Sequence, residues 1–192
     1  MKSSPTLRLV RCAAVAALYV VLTYVANTLG LASGIIQVRI SEALCVLPFF
    51  DPTLSIGLYI GCILANLLTG CAPWDIVFGS LATLIGALFC ALIGIKAKGL
   101  ATDGKAYKIL AFLSPVPNVI ANTLIVPPIL IRVYGMGVED ALSVAEFLHI
   151  NSAYLLFTIT VFLGEVISGY ILGVLLFPAF RRIMQSTRRD TL

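Results

Sequence analysis

Of the 192 residues, 60% are apolar and only 11% are charged, whereas an ordinary soluble domain has roughly a quarter of its residues charged. That excludes a soluble globular fold and makes lipid the solvent of this chain. The net charge of +4 would suit nucleic acid, but the basic residues sit in three clusters that each border an apolar stretch, which is a pattern of membrane topology rather than of a nucleic-acid surface.

Lys2, Arg8 and Arg11 form the first cluster, Lys96, Lys98, Lys105 and Lys108 the second, and Arg181, Arg182, Arg188 and Arg189 the third. By the positive-inside rule all three face the cytoplasm, and so do both ends of the chain. With no linker, acidic tail or low-complexity run, residues 1–192 read as a single transmembrane domain.

The first apolar segment, 8–29, follows a basic stretch as a secretory signal would. It is too long for one and lacks a clear small-residue cleavage site, so it is expected to be a retained helix. From Ser33 to Ile40 the chain is partly alternating and β-branched, which predicts an extended loop folded into the outer mouth of the bundle. Non-helical backbone at that depth must be buried in protein or line a cavity.

The apolar stretch 41–70 is interrupted by Phe50-Asp51-Pro52, and a residue before proline disfavours the helical conformation. Two segments result, 42–50 and 53–69. Parity supports the division, because a single crossing would put the lysine cluster and the N-terminus on opposite faces, whereas two crossings return all three basic clusters to one side. As an α-helix the first piece is about 14 Å long, half a hydrocarbon core. Segments 73–95, 108–131 and 150–178 follow, so the expected fold is an all-α, six-helix membrane bundle with a short second helix.

Small residues recur four apart at Ala13/Ala17, Gly57/Gly61, Ala82/Gly86 and Gly169/Gly173. Such pairs let helices approach closely, within the bundle or against a partner. Ala13 and Ala17 are the candidate partner-docking face. The five cysteines lie in or beside apolar segments without a C-x-x-C pair and read as buried free thiols.

Charged side chains in lipid cost about 2.5–3.5 kcal/mol each at a helix centre by insertion scales, so those present should pair or face a cavity. They are Arg39, Glu42, Asp51, Asp75 and Glu165. On the six-helix topology Arg39, Glu42 and Asp75 fall towards the outer surface, Glu165 near the midplane and Asp51 at the inner turn. Asn66 lies near the outer end of the third helix, and Asn118 and Asn122 share one face of the fifth. Structural readings stand beside the functional one: Arg39 and Glu42 pair with each other, Asp75 caps the fourth segment, and Asp51 serves its turn. Glu165, in mid-helix between Gly164 and Gly169 with Thr158 and Ser168 nearby, resists such a reading.

Three carboxylates, one arginine and three asparagines make an acceptor-rich set. It suits a neutral or cationic ligand with several N–H donors, such as a purine-like base, and Trp74, Tyr59 or Tyr154 could stack on its ring. Catalysis finds no support: His149 is the only histidine, and no zinc-protease, nucleophile-elbow or Walker motif is present. No metal or cofactor is implied. There is also no internal repeat of the kind found in many secondary transporters.

The runs from Ile36 to Phe50, from Gly57 to Gly70 and from Asp75 to Ala87 resemble the queuosine-precursor transporter family (QueT type), the S components of energy-coupling factor (ECF) importers. Weaker similarity continues from Val116 to Val126 and from Gly164 to Leu176. The resemblance implies a six-helix protein of the bacterial cell membrane that captures a deazapurine, queuine or its aminomethyl precursor. It also implies docking on an ECF transmembrane coupling protein with two cytoplasmic ATPase subunits. Carried over by position, Arg39 and Glu42 match the family's R-x-x-E, Asn66 its L-A-N, Asp75 the start of the next helix, Asn122 a V-N-type asparagine and Glu165 its G-E. The alanine-rich first helix matches the surface that meets the coupling protein.

The expected substrate-binding set is therefore Arg39, Glu42, Asn66, Trp74, Asp75, Asn118, Asn122 and Glu165. Val38 stands where an aromatic residue is expected, Cys45 replaces a hydroxyl residue, and Pro127-Pro128 is expected to break the fifth helix. Alternatives are an S component for another vitamin or nucleobase, and a structural membrane protein whose buried charges only pair internally.

Overall fold

A computed structural model describes residues 4–31, 37–134 and 153–189. Lys2, the Ser33–Ile36 part of the predicted loop, His149 and the first residues of the sixth segment lie outside the described residues. All regular structure among the described residues is helical.

Helix α1 spans Pro5–Thr28. Pro5 suits the first turn, where its missing N–H is not needed, and the Ser4 hydroxyl accepts a 3.2 Å hydrogen bond from the Leu7 amide. Ala16, Tyr19, Thr23 and Ala26, spaced three and four apart, are its buried face. Leu18, Val21 and Val25 point outward, where lipid would meet them.

Ile40–Phe49 forms a ten-residue 3-10 helix, a correction to the short α-helix expected over 42–50. At about 2 Å rise per residue it is roughly 20 Å long, well beyond the 14 Å expected. Every residue from Ser41 to Phe49 is buried, as a helix apolar all round should be. It packs against α1, against the helices Leu54–Leu68 and Pro73–Ala97, and against the last stretch of the chain from Val166 on, and forms the spine of the bundle. The predicted turn follows at Asp51, whose Oδ1 accepts from the Thr53 amide at 3.1 Å and hydroxyl at 2.7 Å, while Arg11 lies 3.6 Å from its Oδ2.

Helix α2 (Leu54–Leu68) packs on α1. A Cβ on Gly57 would sit 2.7 Å from the Cys12 carbonyl oxygen, and one on Gly61 2.9 Å from the Ala16 Cα, so these glycines set the closeness of the two helices. Between lipid-solvated helices that closeness matters more than apolarity, because lipid tails are as apolar as leucine and association rests on packing. Ala82, Gly86, Gly169 and Gly173 are also buried, whereas Ala13 and Ala17 are exposed on the outside of the bundle.

Helix α3 spans Pro73–Ala97. The predicted fifth segment is divided into α4 (Lys105–Leu113) and α5 (Val116–Tyr134). The division falls at Ser114-Pro115, and not at Pro127-Pro128 as the sequence suggested. Ser114, ahead of Pro115, ends the first piece with its hydroxyl on the Ala111 carbonyl at 2.7 Å, and Pro117 occupies the first turn of α5, where proline is tolerated. Pro127 and Pro128 lie inside α5, as membrane helices permit when neighbouring groups absorb the freed carbonyls.

Helix α6 (Ala153–Glu165) passes through a π-helical stretch, Val166–Ile171, into α7 (Leu172–Arg189). Four stretches are long and apolar enough to cross a membrane: Pro5–Thr28, Pro73–Ala97, Lys105–Ile131 and Tyr154–Met184; the 3-10 helix and α2 are the shorter apolar pieces. Phe49 contacts Tyr107 and Phe177 with ring centroids 5.6 and 5.1 Å apart, and Arg181 lies 5.7 Å from the Tyr107 ring. These contacts, with Arg11 at Asp51 and with Ala97 in the same apolar cluster as Phe49 and Tyr107, gather the start of α1, the end of α3, α4 and α7 at one end of the bundle. The described members of the three basic clusters thus share that end.

Candidate functional site

The 3-10 helix places Glu42 at the centre of the bundle, 1% exposed. Tyr19 of α1 donates its hydroxyl to Glu42 Oε1. Glu42 Oε2 accepts from Asn118 Nδ2 at 2.9 Å and from the Cys45 thiol at 3.2 Å. With three residues per turn, positions 42 and 45 eclipse, which brings that thiol to the carboxylate.

Asn118 also donates from Nδ2 to Glu165 Oε2 at 3.2 Å. One amide therefore bridges two carboxylates that come from opposite ends of the sequence. Its Oδ1 is buried without a partner. Gly86 makes room for it: a Cβ there would fall 2.5 Å from the Asn118 Cα and 2.7 Å from Oδ1. Glu165 is the last residue before the π stretch, a distortion frequent at functional sites. Asn122, one turn beyond, donates to the Asn118 carbonyl at 3.2 Å and so supports the bridge.

A second polar group lies at the start of the 3-10 helix, towards the end of the bundle opposite the basic clusters. Arg39 NH2 is 3.6 Å from Asp75 Oδ2, and Arg39 NH1 reaches Asn66 Oδ1 at 3.4 Å. Asn66 Nδ2 reaches the Asp75 carbonyl at 3.4 Å. Arg39 thus pairs with Asp75 and not with Glu42, which removes the structural alternative that set those two beside each other. Its backbone is extended (φ −97°, ψ 96°), so its side chain leaves the 3-10 stack and reaches the first turn of α3, while Glu42 is occupied by Tyr19, Cys45 and Asn118.

Seven of the eight expected residues converge in these two adjoining groups; Trp74 does not. It is 60% exposed and stacks on Phe78 at 5.9 Å, in the manner of an interfacial aromatic. Tyr154 is 45% exposed and Tyr59 is partly buried, and neither bonds to the polar centre. Thr158 bonds to the Tyr154 carbonyl at 2.7 Å and Ser168 to the Gly164 carbonyl at 2.7 Å, so neither serves Glu165. A groove of about 220 Å³ runs between α4 and α7 beside Tyr107, Lys108 and Arg181, remote from both carboxylates. Among the described residues no group of three histidine, cysteine or acidic side chains is placed to hold a metal.

The model of the family described as QueT transporter matches residues 9–182 of the sequence. The chain belongs to the QueT transporter family. The matched span contains every residue of both polar groups. A curated relative, the queuosine precursor transporter QueT of Lactococcus lactis subsp. cremoris (strain MG1363), is 41% identical over 86 residues, which is 44% of this chain and 50% of that protein. The match thus spans half the length of that relative. No solved structure matches the chain.

Within this QueT family member, Tyr19 and Cys45 bond to Glu42 although neither was in the expected binding set. Tyr19 had a signal: it lies on the Ala16, Thr23, Ala26 face of α1, where a phenol in an apolar helix needs a partner. Cys45 had one too: three residues from Glu42, it shares a helix face with it, and it stands where a hydroxyl residue was expected.

Proposed function

We propose that this chain is the substrate-binding S component of an ECF importer in the bacterial cell membrane and that it captures a queuosine precursor, queuine or its aminomethyl precursor. The curated relative's name and the family supply the substrate class. The observation that carries the reading is the Arg39, Asn66, Asp75 group. The aminopyrimidinone edge of a deazaguanine presents an acceptor oxygen beside two N–H donors. Asp75 accepts from both donors, and Arg39 donates to the oxygen.

The present contacts of that group support this. Arg39 lies 3.6 Å from Asp75 Oδ2 and 3.4 Å from Asn66 Oδ1, long beside the 2.7–2.9 Å typical of charge-assisted bonds, so the guanidinium keeps donor capacity for a ligand oxygen. The basic clusters at one end orient both termini to the cytoplasm and the Arg39 group outward. The exposed Ala13 and Ala17 on α1 offer a small-residue face to the transmembrane coupling protein. ATP hydrolysis is then the work of two partner ATPases, and this chain is not an enzyme.

Isothermal titration of the detergent-purified protein with queuine, the aminomethyl precursor and riboflavin tests the reading. Binding of a deazapurine and not riboflavin is expected. Binding of riboflavin alone would keep the S-component architecture and reject the substrate; a folded protein silent to all three would reject both.

A further inference from the structure

The Arg39 group accounts for a base edge and leaves Glu42, Asn118 and Glu165 without a task. Both carboxylates are at least nine-tenths buried, and both converge on a single amide nitrogen. Among the described residues neither has a cation within ion-pair distance, since the two ion pairs are Arg11 with Asp51 and Arg39 with Asp75. Two carboxylates gathered in a low-dielectric interior repel each other and draw positive charge. The Asn118 oxygen, fully buried and unpaired, is an independent sign that the arrangement awaits a donor.

We infer that the Glu42, Asn118, Glu165 cluster is a subsite for a protonated amine carried on the substrate's side chain, and that this chain selects cationic over neutral deazaguanines. The inference rests on the queuosine-precursor reading and deepens it. An alkylammonium carries three N–H donors and no acceptor. Glu42 Oε2, Glu165 Oε2 and the unpaired Asn118 Oδ1 supply three acceptors. An asparagine suits this place because one amide can donate from Nδ2 to the carboxylates and still offer its unpaired Oδ1 to the ammonium. Arg39 caps the 3-10 helix and Glu42 stands three positions further on, so one ligand can reach both polar groups along the start of that helix.

The test is titration of the purified full chain with the aminomethyl deazaguanine and with the same base bearing a neutral nitrile at that position. Charge-assisted hydrogen bonds are roughly twice as strong as neutral ones, so the amine should bind at least about tenfold more tightly, and Glu165→Gln should shrink that ratio more than it weakens the nitrile. Equal affinity of the parent protein for amine and nitrile would overturn the inference while leaving the precursor reading intact. Failure of both to bind a folded protein would overturn the precursor reading and this inference with it. The comparison on the parent protein decides the matter even if Glu165→Gln does not fold.

Discussion

Gly86→Ala should damage both stability and substrate binding although it adds one methyl group. The new Cβ would lie 2.5 Å from the Asn118 Cα, about 0.9 Å inside the 3.4 Å at which ordinary contact begins. The obstacle is backbone, so rotamer change cannot relieve it. Helices α3 and α5, which pack along their lengths, must separate, at a cost of about 1–3 kcal/mol typical of overpacking. The same movement withdraws Asn118 from two carboxylates, and hydrogen bonds to charged groups are worth about 1.5–3 kcal/mol each. Thermal unfolding in detergent should therefore show a lower midpoint, and calorimetry below that midpoint an affinity at least about tenfold weaker, since each 1.4 kcal/mol is tenfold. Gly57→Ala is the control: its Cβ meets the Cys12 carbonyl oxygen at 2.7 Å, away from the site, so it should lose stability while the folded fraction keeps its affinity. A Gly86→Ala protein with parental midpoint and parental affinity would refute the packing argument.

Trp74→Ala should change substrate affinity by less than about threefold, because the ring is 60% exposed and touches Phe78 outside the polar centre; a larger loss by titration would return it to the site. Asp75→Asn should leave the Arg39 guanidinium without its carboxylate, and breaking a buried pair costs about 3–5 kcal/mol. Lower stability and an affinity at least tenfold weaker are expected, and unchanged calorimetry would remove Asp75 from base recognition. Ala13→Leu with Ala17→Leu should leave affinity in detergent unchanged, since both positions are exposed, yet abolish co-purification with the coupling protein and precursor uptake by cells. Retention of both would move the docking face elsewhere.

The six segments were legible because two physical costs are written in the sequence: the length of apolar chain needed to cross lipid, and the sidedness of lysine and arginine. That Arg39, Glu42, Asp75 and Glu165 would gather inside the bundle with polar partners was legible for the same reason, since charge in an apolar segment is costly in lipid. Their pairing was not. Arg39 and Glu42 are three apart and look like partners, but the choice of Asp75 depends on an extended backbone at position 39 and on where α3 begins. The prolines misled in a similar way. Pro127-Pro128 carries the stronger breaking signal, yet the break falls at Ser114-Pro115, where the freed groups find local partners and α5 can start afresh. Nothing in the sequence distinguishes ten residues of 3-10 helix from an α-helix of similar length, and the Tyr19 and Asn118 bonds to Glu42 join residues 23 and 76 positions apart.

The 3-10 helix also bears on how the protein tolerates change. Each surrounding spanning helix has a side turned to lipid, as Leu18 and Val21 are on α1 or Leu88 and Phe89 on α3, where one apolar side chain can stand in for another. A helix with three residues per turn has three faces, and from Ser41 to Phe49 all three are covered by protein. It therefore has no neutral side. A one-residue insertion would turn everything beyond it by about 120°, carrying the residues downstream to different neighbours, and even a methyl gained or lost would be felt. In a saturation screen this stretch should stand out as an unbroken block of intolerance, with none of the three-to-four-residue rhythm that the flanking helices would print.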